Sequence, residues 1–164
     1  MAPVVADTGP LRYLVLIDAI DVLPRLFGRV LIPEIVGAEL SRPSTPLPVR
    51  EWLASAPAWL ERRADPDPPA RGLFPPQLGA GELAAIGLAE AIGGALLLID
   101  DRAGITAAKA RGVEATGTLG VLVRAAQLGL VDLRAAFARL RETNFRYRPE
   151  LLAALLAQHE AGKP

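Results

Sequence analysis

Two short apolar runs, each broken off by carboxylates, constrain this chain more than any other feature of it. Pro3-Val4-Val5-Ala6 ends on Asp7, and Ala95-Leu96-Leu97-Leu98-Ile99 ends on Asp100 and Asp101. A strand with one face in water alternates apolar and polar residues. A strand without that alternation needs cover on both faces, which points to a parallel sheet between layers of helices. The segments around these runs supply the helices. Residues 11–20 are apolar on most sides, with Pro10 where a first helical turn tolerates it, and 22–27 form a short amphipathic piece ending at Gly28. A brief β-type run at 29–32 precedes a helix opened by Pro33 and running to Leu40. The clearest helix starts at Gly79-Ala80-Gly81-Glu82 and stops at the paired glycines Gly93 and Gly94. After the second apolar run the pattern predicts a helix over 102–111, a strand over 113–115, a loop at 116–118, and helices over 119–128, 133–140 and 149–159. Strand and helix in alternation predict an α/β fold, a three-layer α/β/α sandwich around a central parallel sheet.

The length of 164 residues suits one domain spanning 1–164. Nine of the fifteen prolines fall between Pro43 and Pro76, so 41–78 is a proline-rich loop region. Within it, 49–56 fits a helix, 59–63 a short edge strand, and Asp65-Pro66-Asp67-Pro68-Pro69 a surface loop. Residues 132–160 form a helical C-terminal extension. No internal repeat is visible. No apolar run reaches the roughly 18 residues of a membrane span, and no leader precedes the first strand, so a cytoplasmic protein is expected.

Composition narrows the chemistry. The chain has no cysteine and one histidine, His159, which excludes thiolate sites, disulfides and histidine-rich zinc sites. A bound metal must be held by oxygen, which favours Mg²⁺ or Mn²⁺. Basic and acidic residues balance at 18 each, so the chain as a whole does not attract nucleic acid. Its distribution of charge matters more. Nearly all the positive charge is arginine, which suits bidentate phosphate contact, and 139–148 interleaves arginines with Phe145 and Tyr147 in the manner of a nucleic-acid or partner surface. The same run also reads as a solvated helix end with Phe145 in the core.

Acids stand in four unusual places. Asp7 ends the first strand. Glu39 lies one turn beyond Ile35, on an otherwise apolar helical stripe. Glu82 falls in a first helical turn, where the helix dipole favours negative charge. Asp100 and Asp101 end the most apolar strand, where adjacent carboxylates repel unless a cation or donors compensate them. In a parallel sheet all of these reach one rim. With one or two divalent cations such a cluster activates water and stabilises charge on a phosphodiester. Asp101 begins the turn and so points along the strand axis toward the rim, which favours it over Asp100 as the fourth acid. A receiver-like phosphotransfer protein also clusters aspartates at strand ends, but it wants a lysine after a late strand, and Lys109 falls inside a predicted helix.

The motifs Asp7-Thr8-Gly9-Pro10-Leu11, Ile32-Pro33-Glu34-Ile35-Val36-Gly37-Ala38-Glu39-Leu40, Gly79-Ala80-Gly81-Glu82-Leu83-Ala84-Ala85-Ile86 and Leu98-Ile99-Asp100-Asp101-Arg102, in that order, resemble the PIN domain family. The Asp-Asp-Arg turn and the segment Thr116-Gly117-Thr118-Leu119-Gly120 are similar to a prokaryotic group found beside small antitoxin-like genes. The resemblance covers about residues 4–130. It implies Mg²⁺- or Mn²⁺-dependent cleavage of single-stranded RNA, a toxin role and a small antitoxin partner. It matches Asp7, Glu39 and Glu82 to three acids of the family's site and leaves the fourth open between Asp100 and Asp101. With the strand-end argument, Asp7, Glu39, Glu82 and Asp101 are expected as catalytic acids, with Asp7, Asp101, Asp100 and Glu39 toward metal. Thr8 matches the family's hydroxyl neighbour, and Arg102, Thr116 and Thr118 are expected on the substrate side. A homodimer is expected through leucines 151, 152, 155 and 156 of the last helix. The alternative reading is a non-catalytic PIN-like module that binds protein or RNA.

Overall fold

The computed structural model describes residues 2–68 and 73–163. Pro69 of the expected surface loop and residues 70–72 of the proline-rich region lie outside them, as do Met1 and Pro164 at the ends of the expected 1–164 domain. The elements run β1 (Val4–Ala6), α1 (Thr8–Leu16), α2 (Val22–Phe27), β2 (Val30–Pro33), α3 (Glu34–Leu40), α4 (Leu47–Ala54), β3 (Leu60–Arg63), α5 (Ala80–Ile92), β4 (Leu96–Leu98), α6 (Arg102–Ala110), β5 (Glu114–Thr116), α7 (Thr118–Gln127), α8 (Leu133–Arg141) and α9 (Pro149–Ala161). All strand pairings are parallel, in the order β3-β2-β1-β4-β5.

Alternation along the strands divides the core in two. Val4, Ala6, Val30, Ile32 and Leu98 face a large cluster formed with α1, α2, α3, α4, α7, α8 and α9. Val5, Leu31, Leu97 and Ile99 face a smaller one formed with α5 and α6. The central strands are therefore covered on both sides, which is why they carry no polar alternation. The sheet order reverses between β1 and β4. The chain leaves β1 toward the larger layer and leaves β4 toward the smaller one, so a crevice opens between the two strand ends, where ligands bind in open α/β sheets.

Element boundaries differ from the sequence reading at helix ends. The first helix was expected over 11–20 and spans Thr8–Leu16. Asp7 takes an extended conformation and the helix starts on the next residue, while Asp18 at φ 59° turns the chain out of it. Aspartate tolerates that left-handed conformation better than most side chains do. The helix after β5 likewise begins at Thr118, inside the expected loop. Leu152 and Leu156 of the last helix are buried in the chain's own core and Leu155 is half-buried, leaving Leu151 as the exposed leucine of that set. The face expected for self-association is thus largely used internally.

Candidate active site

Asp7 sits at the switch point. Its backbone N–H donates to the Leu98 carbonyl at 2.8 Å, which ties the end of β1 to β4 and carries the side chain into the crevice. The residue is 6% exposed, and its Oδ1 has no hydrogen-bond partner among the described residues. Burial pushes its carboxyl up to about 7; the Thr8 backbone N–H opposes this, and the charges of Glu82, Glu39 and Asp100 add to it. A buried carboxyl with an orphaned oxygen and three acidic neighbours is unstable as a bare anion.

Asp100 approaches from β4. Both its oxygens are held by Thr118, whose N–H donates to Oδ1 at 2.7 Å and whose hydroxyl donates to Oδ2 at 2.8 Å. Burial raises its pKa, and these two bonds pull it back. The backbone closes tightly on this carboxylate: a Cβ at Gly117 would lie 2.6 Å from Oδ1, and one at Gly9 would lie 3.0 Å from Oδ2. Thr118 was expected on the substrate side. Its side chain is fully buried and committed to Asp100, so it is a positioning residue.

Glu39 comes from the opposite wall. Its Oε2 accepts the Thr8 hydroxyl at 2.7 Å, and its carboxylate lies on the first turn of α5, where a Cβ at Gly81 would fall 2.5 Å from Oε2. Thr8 is half-buried and, like Thr118, spends its hydroxyl on an acid. Glu82, three residues into α5, accepts the Gly79 N–H on Oε1 at 3.1 Å. Its Oε2 is buried without a hydrogen-bond partner among the described residues. Burial raises its pKa, the Gly79 bond opposes this, and Asp101 and then Glu39 push it up further. Asp101 is exposed and caps α6, its Oδ2 accepting the Gly104 N–H at 3.0 Å. Asp7, Glu39, Glu82 and Asp100 thus interact as one group, and Asp101 joins it through Glu82. Thr116 ends β5 half-buried, with its hydroxyl against Gly120, and Arg102 is exposed at the start of α6.

Sequence reasoning singled out the acids and missed what shapes the space between them. Gly9, Gly81 and Gly117 are where the backbone meets a carboxylate, and each lies within two residues of an acid or a threonine of the cluster. That proximity was the available signal. Arg12, one turn beyond Thr8 on α1, was also missed; it is half-buried, with an Nε that has no described partner.

The donor set suits a hard divalent cation: the candidate donors are carboxylate oxygens, two of them buried without partners among the described residues, and their mutual repulsion calls for positive charge. Among the described residues, no three acids are arranged as a ready metal-binding group. A buried aspartate among half-buried carboxylates at the switch point of a five-stranded parallel sheet defines the class, an α/β protein with an acidic strand-end site. The chain belongs to the PIN domain family, whose model (DUF3368, described as a PIN domain) matches residues 3–161. Members of that family are generally nucleases and typically use divalent metal ions. Comparison with curated proteins and with solved structures gave no match. No helix among the described residues is long and apolar enough to cross a membrane.

Proposed function

We propose that this chain is a metal-dependent endoribonuclease that cuts single-stranded RNA. The observation that supports the reading is Asp7, a 6%-exposed carboxyl with an oxygen that has no partner among the described residues, pressed by three other acids at the sheet's switch point. Asp7, Asp100 and Glu39 would hold Mg²⁺ or Mn²⁺, with Asp101 and Glu82 beside them. Asp100 takes the place expected for Asp101, because its charge acts on Asp7 while Asp101 is exposed and caps α6. Bound there, the cation supplies Lewis acidity toward a phosphodiester and lowers the pKa of water. The chain's own groups set the geometry. Thr118 fixes both oxygens of Asp100, the hydroxyl of Thr8, next to Asp7 in the chain, anchors Glu39, and Gly79 holds one oxygen of Glu82 while the other is buried. Cysteine is absent and the lone His159 lies near the end of α9, so nucleophilic side-chain catalysis has little to draw on.

The toxin role, with a small antitoxin holding the crevice closed, rests on the similarity of the Asp-Asp-Arg turn and the Thr116–Gly120 segment to the antitoxin-linked group. A second reading, a non-catalytic RNA- or protein-binding module, draws on the lack of a ready three-acid metal group among the described residues. One assay separates them. Purified protein is incubated with a mixed single-stranded RNA pool with Mn²⁺, with EDTA, and as Asp7→Asn. Cleavage with Mn²⁺ alone, lost in both controls, supports the nuclease. Cleavage surviving both controls would rule out the acid cluster as its source.

A further inference from the structure

Beside the acids lies a groove of about 670 Å³ that the site itself does not explain. Asp100, Asp101 and Arg102 form one wall, and the connection between α8 and α9 forms the other with Phe145, Arg146, Tyr147 and Arg148. Resting on the nuclease reading, we propose that this connection is the substrate-guiding wall of the site, with Arg146 and Arg148 contacting the phosphates of a single RNA strand that runs from the groove onto the acids.

Charge is the first ground. Elsewhere on the surface Arg29 and Arg63 share Glu61, while Arg111 and Arg134 pair with Glu90 and Glu160. Arg102, Arg146 and Arg148, like Arg25, Arg42 and Arg50 elsewhere, form no ion pair with any described residue; what sets the first three apart is that they gather on one groove beside the acids. Unspent guanidinium groups beside a phosphodiester-cutting site match a polyanion, and their planar forks match phosphate. The apolar surface between them is the second ground. Half-buried Tyr147 and Leu119 and exposed Leu151 line the groove, giving unstacked bases a surface to lie on that a paired duplex cannot use.

The third ground is rigidity. Residues 144–148 are not helical, yet they are fixed to α1, the helix that begins in the site. Tyr13 donates its hydroxyl to Asn144 Oδ1 at 2.9 Å, and its ring meets Phe145 edge-on at 5.0 Å. The Phe145 N–H donates to the Thr143 hydroxyl at 3.1 Å, and that hydroxyl donates to the Leu140 carbonyl at 2.6 Å. The backbone that carries the two exposed arginines is thereby held beside the groove, which confines the ordering on binding to their side chains.

The test is fluorescence anisotropy on a labelled single-stranded RNA of about 12 nucleotides, in EDTA to prevent cleavage. Arg146→Ala/Arg148→Ala should weaken binding at least tenfold. It should also reduce the slope of log affinity against log salt by about 1.4, as expected for two lost phosphate contacts on a single strand. Arg146→Lys/Arg148→Lys should keep most of that slope. Arg25→Ala, on exposed surface of α2, should bind like the wild type, and thermal melts should show that all variants fold. Wild-type affinity in the double alanine variant, equal affinity for a fully paired duplex, or no RNA binding by the wild type would each overturn the proposal. So would capture of a polyglutamate peptide without capture of RNA, which would make the wall a protein-binding surface. The outcomes stay separate from the nuclease reading. RNA bound through Arg146 and Arg148 but uncut with Mn²⁺ removes the nuclease and leaves the groove. Mn²⁺-dependent cutting with unchanged binding by the double variant removes the groove and leaves the nuclease.

Discussion

At the scale of single residues, the site is a competition between burial and charge, and Asp7 bears most of it. Replacing it by asparagine keeps the shape and removes a ligand charge, so cleavage should fall to background. The metal-free protein should meanwhile become more stable at pH 8, because the cost of a buried anion disappears. The rise from 3.8 to about 7 in the Asp7 pKa sets an upper bound of roughly 4 kcal/mol on that gain. Thermal melts in EDTA check it; a variant less stable than the wild type at pH 8 would show that Asp7 is compensated in the fold itself. Thr118 offers a second prediction. Thr118→Val deletes the hydroxyl bond to Asp100 while keeping shape and the backbone bond, and should cost about 1–3 kcal/mol and roughly 10- to 100-fold in activity. Thr118→Ser should restore most of both. If valine and serine behaved alike, the hydroxyl would not be what holds Asp100. In the sequence the acids were legible because Asp7, Glu39, Asp100 and Asp101 broke apolar patterns and Glu82 stood in a first helical turn. The commitments of Thr8 and Thr118 were not, because a hydroxyl's partner is fixed by tertiary contact and Thr118 meets an acid 18 residues away.

At the scale of elements, the strands were the most legible part. Uninterrupted apolar runs have few alternatives once a sheet is covered on both faces, and β1 and β4 fall inside the runs that predicted them. Helix ends were less so, because a cap depends on which residue first leaves the sheet. Asp7 and Gly117 act at once as strand end and helix start, which moved α1 and α7 toward the site. The tight junction between α3 and α5 was invisible for a related reason: nothing in Gly81 announces that a carboxylate from 42 residues earlier will rest on it. This junction gives a third prediction. Gly81→Ala places a methyl carbon 2.5–2.8 Å from the Glu39 carboxyl atoms, so that group must swing away. Glu39 is flexible and alanine favours helix by about 1 kcal/mol, so the melting temperature should stay within a few degrees of wild type. Cleavage should nevertheless fall by about tenfold or more, by analogy with misplaced metal-site partners. Loss of activity in step with loss of folded protein would instead mean that the junction serves the fold.

At the scale of the whole molecule, the cluster couples folding to pH in a direction opposite to that of most carboxylates. Acids held by cations in a native state have lowered pKa values and weaken a protein as pH falls. Here Asp7 is raised to about 7, and Asp100 and Glu82 are raised as well, all chiefly by burial. Between the unfolded value near 4 and the folded value near 7, the native state binds more protons than the unfolded chain. Stability from this source is therefore complete below the unfolded value and is lost as pH rises through the folded one. In EDTA the melting temperature should accordingly decline from pH 5 to pH 8. A divalent cation bound at the acids would take the proton's place, so its benefit should run the other way. At pH 8 the acids are ionised and millimolar Mn²⁺ should raise the melting temperature by the amount that mass action sets, RT ln(1 + [L]/Kd), whereas at pH 5 protons compete and the rise should be small. Asp7→Asn should flatten both slopes, since it removes the group with the largest resolved rise. Calorimetry across this window, with EDTA and with Mn²⁺, reads all three effects. A metal-free protein whose melting temperature climbed between pH 5 and pH 8 would mean that the crevice neutralises its acids by itself, and a cation would then have no electrostatic reason to bind there.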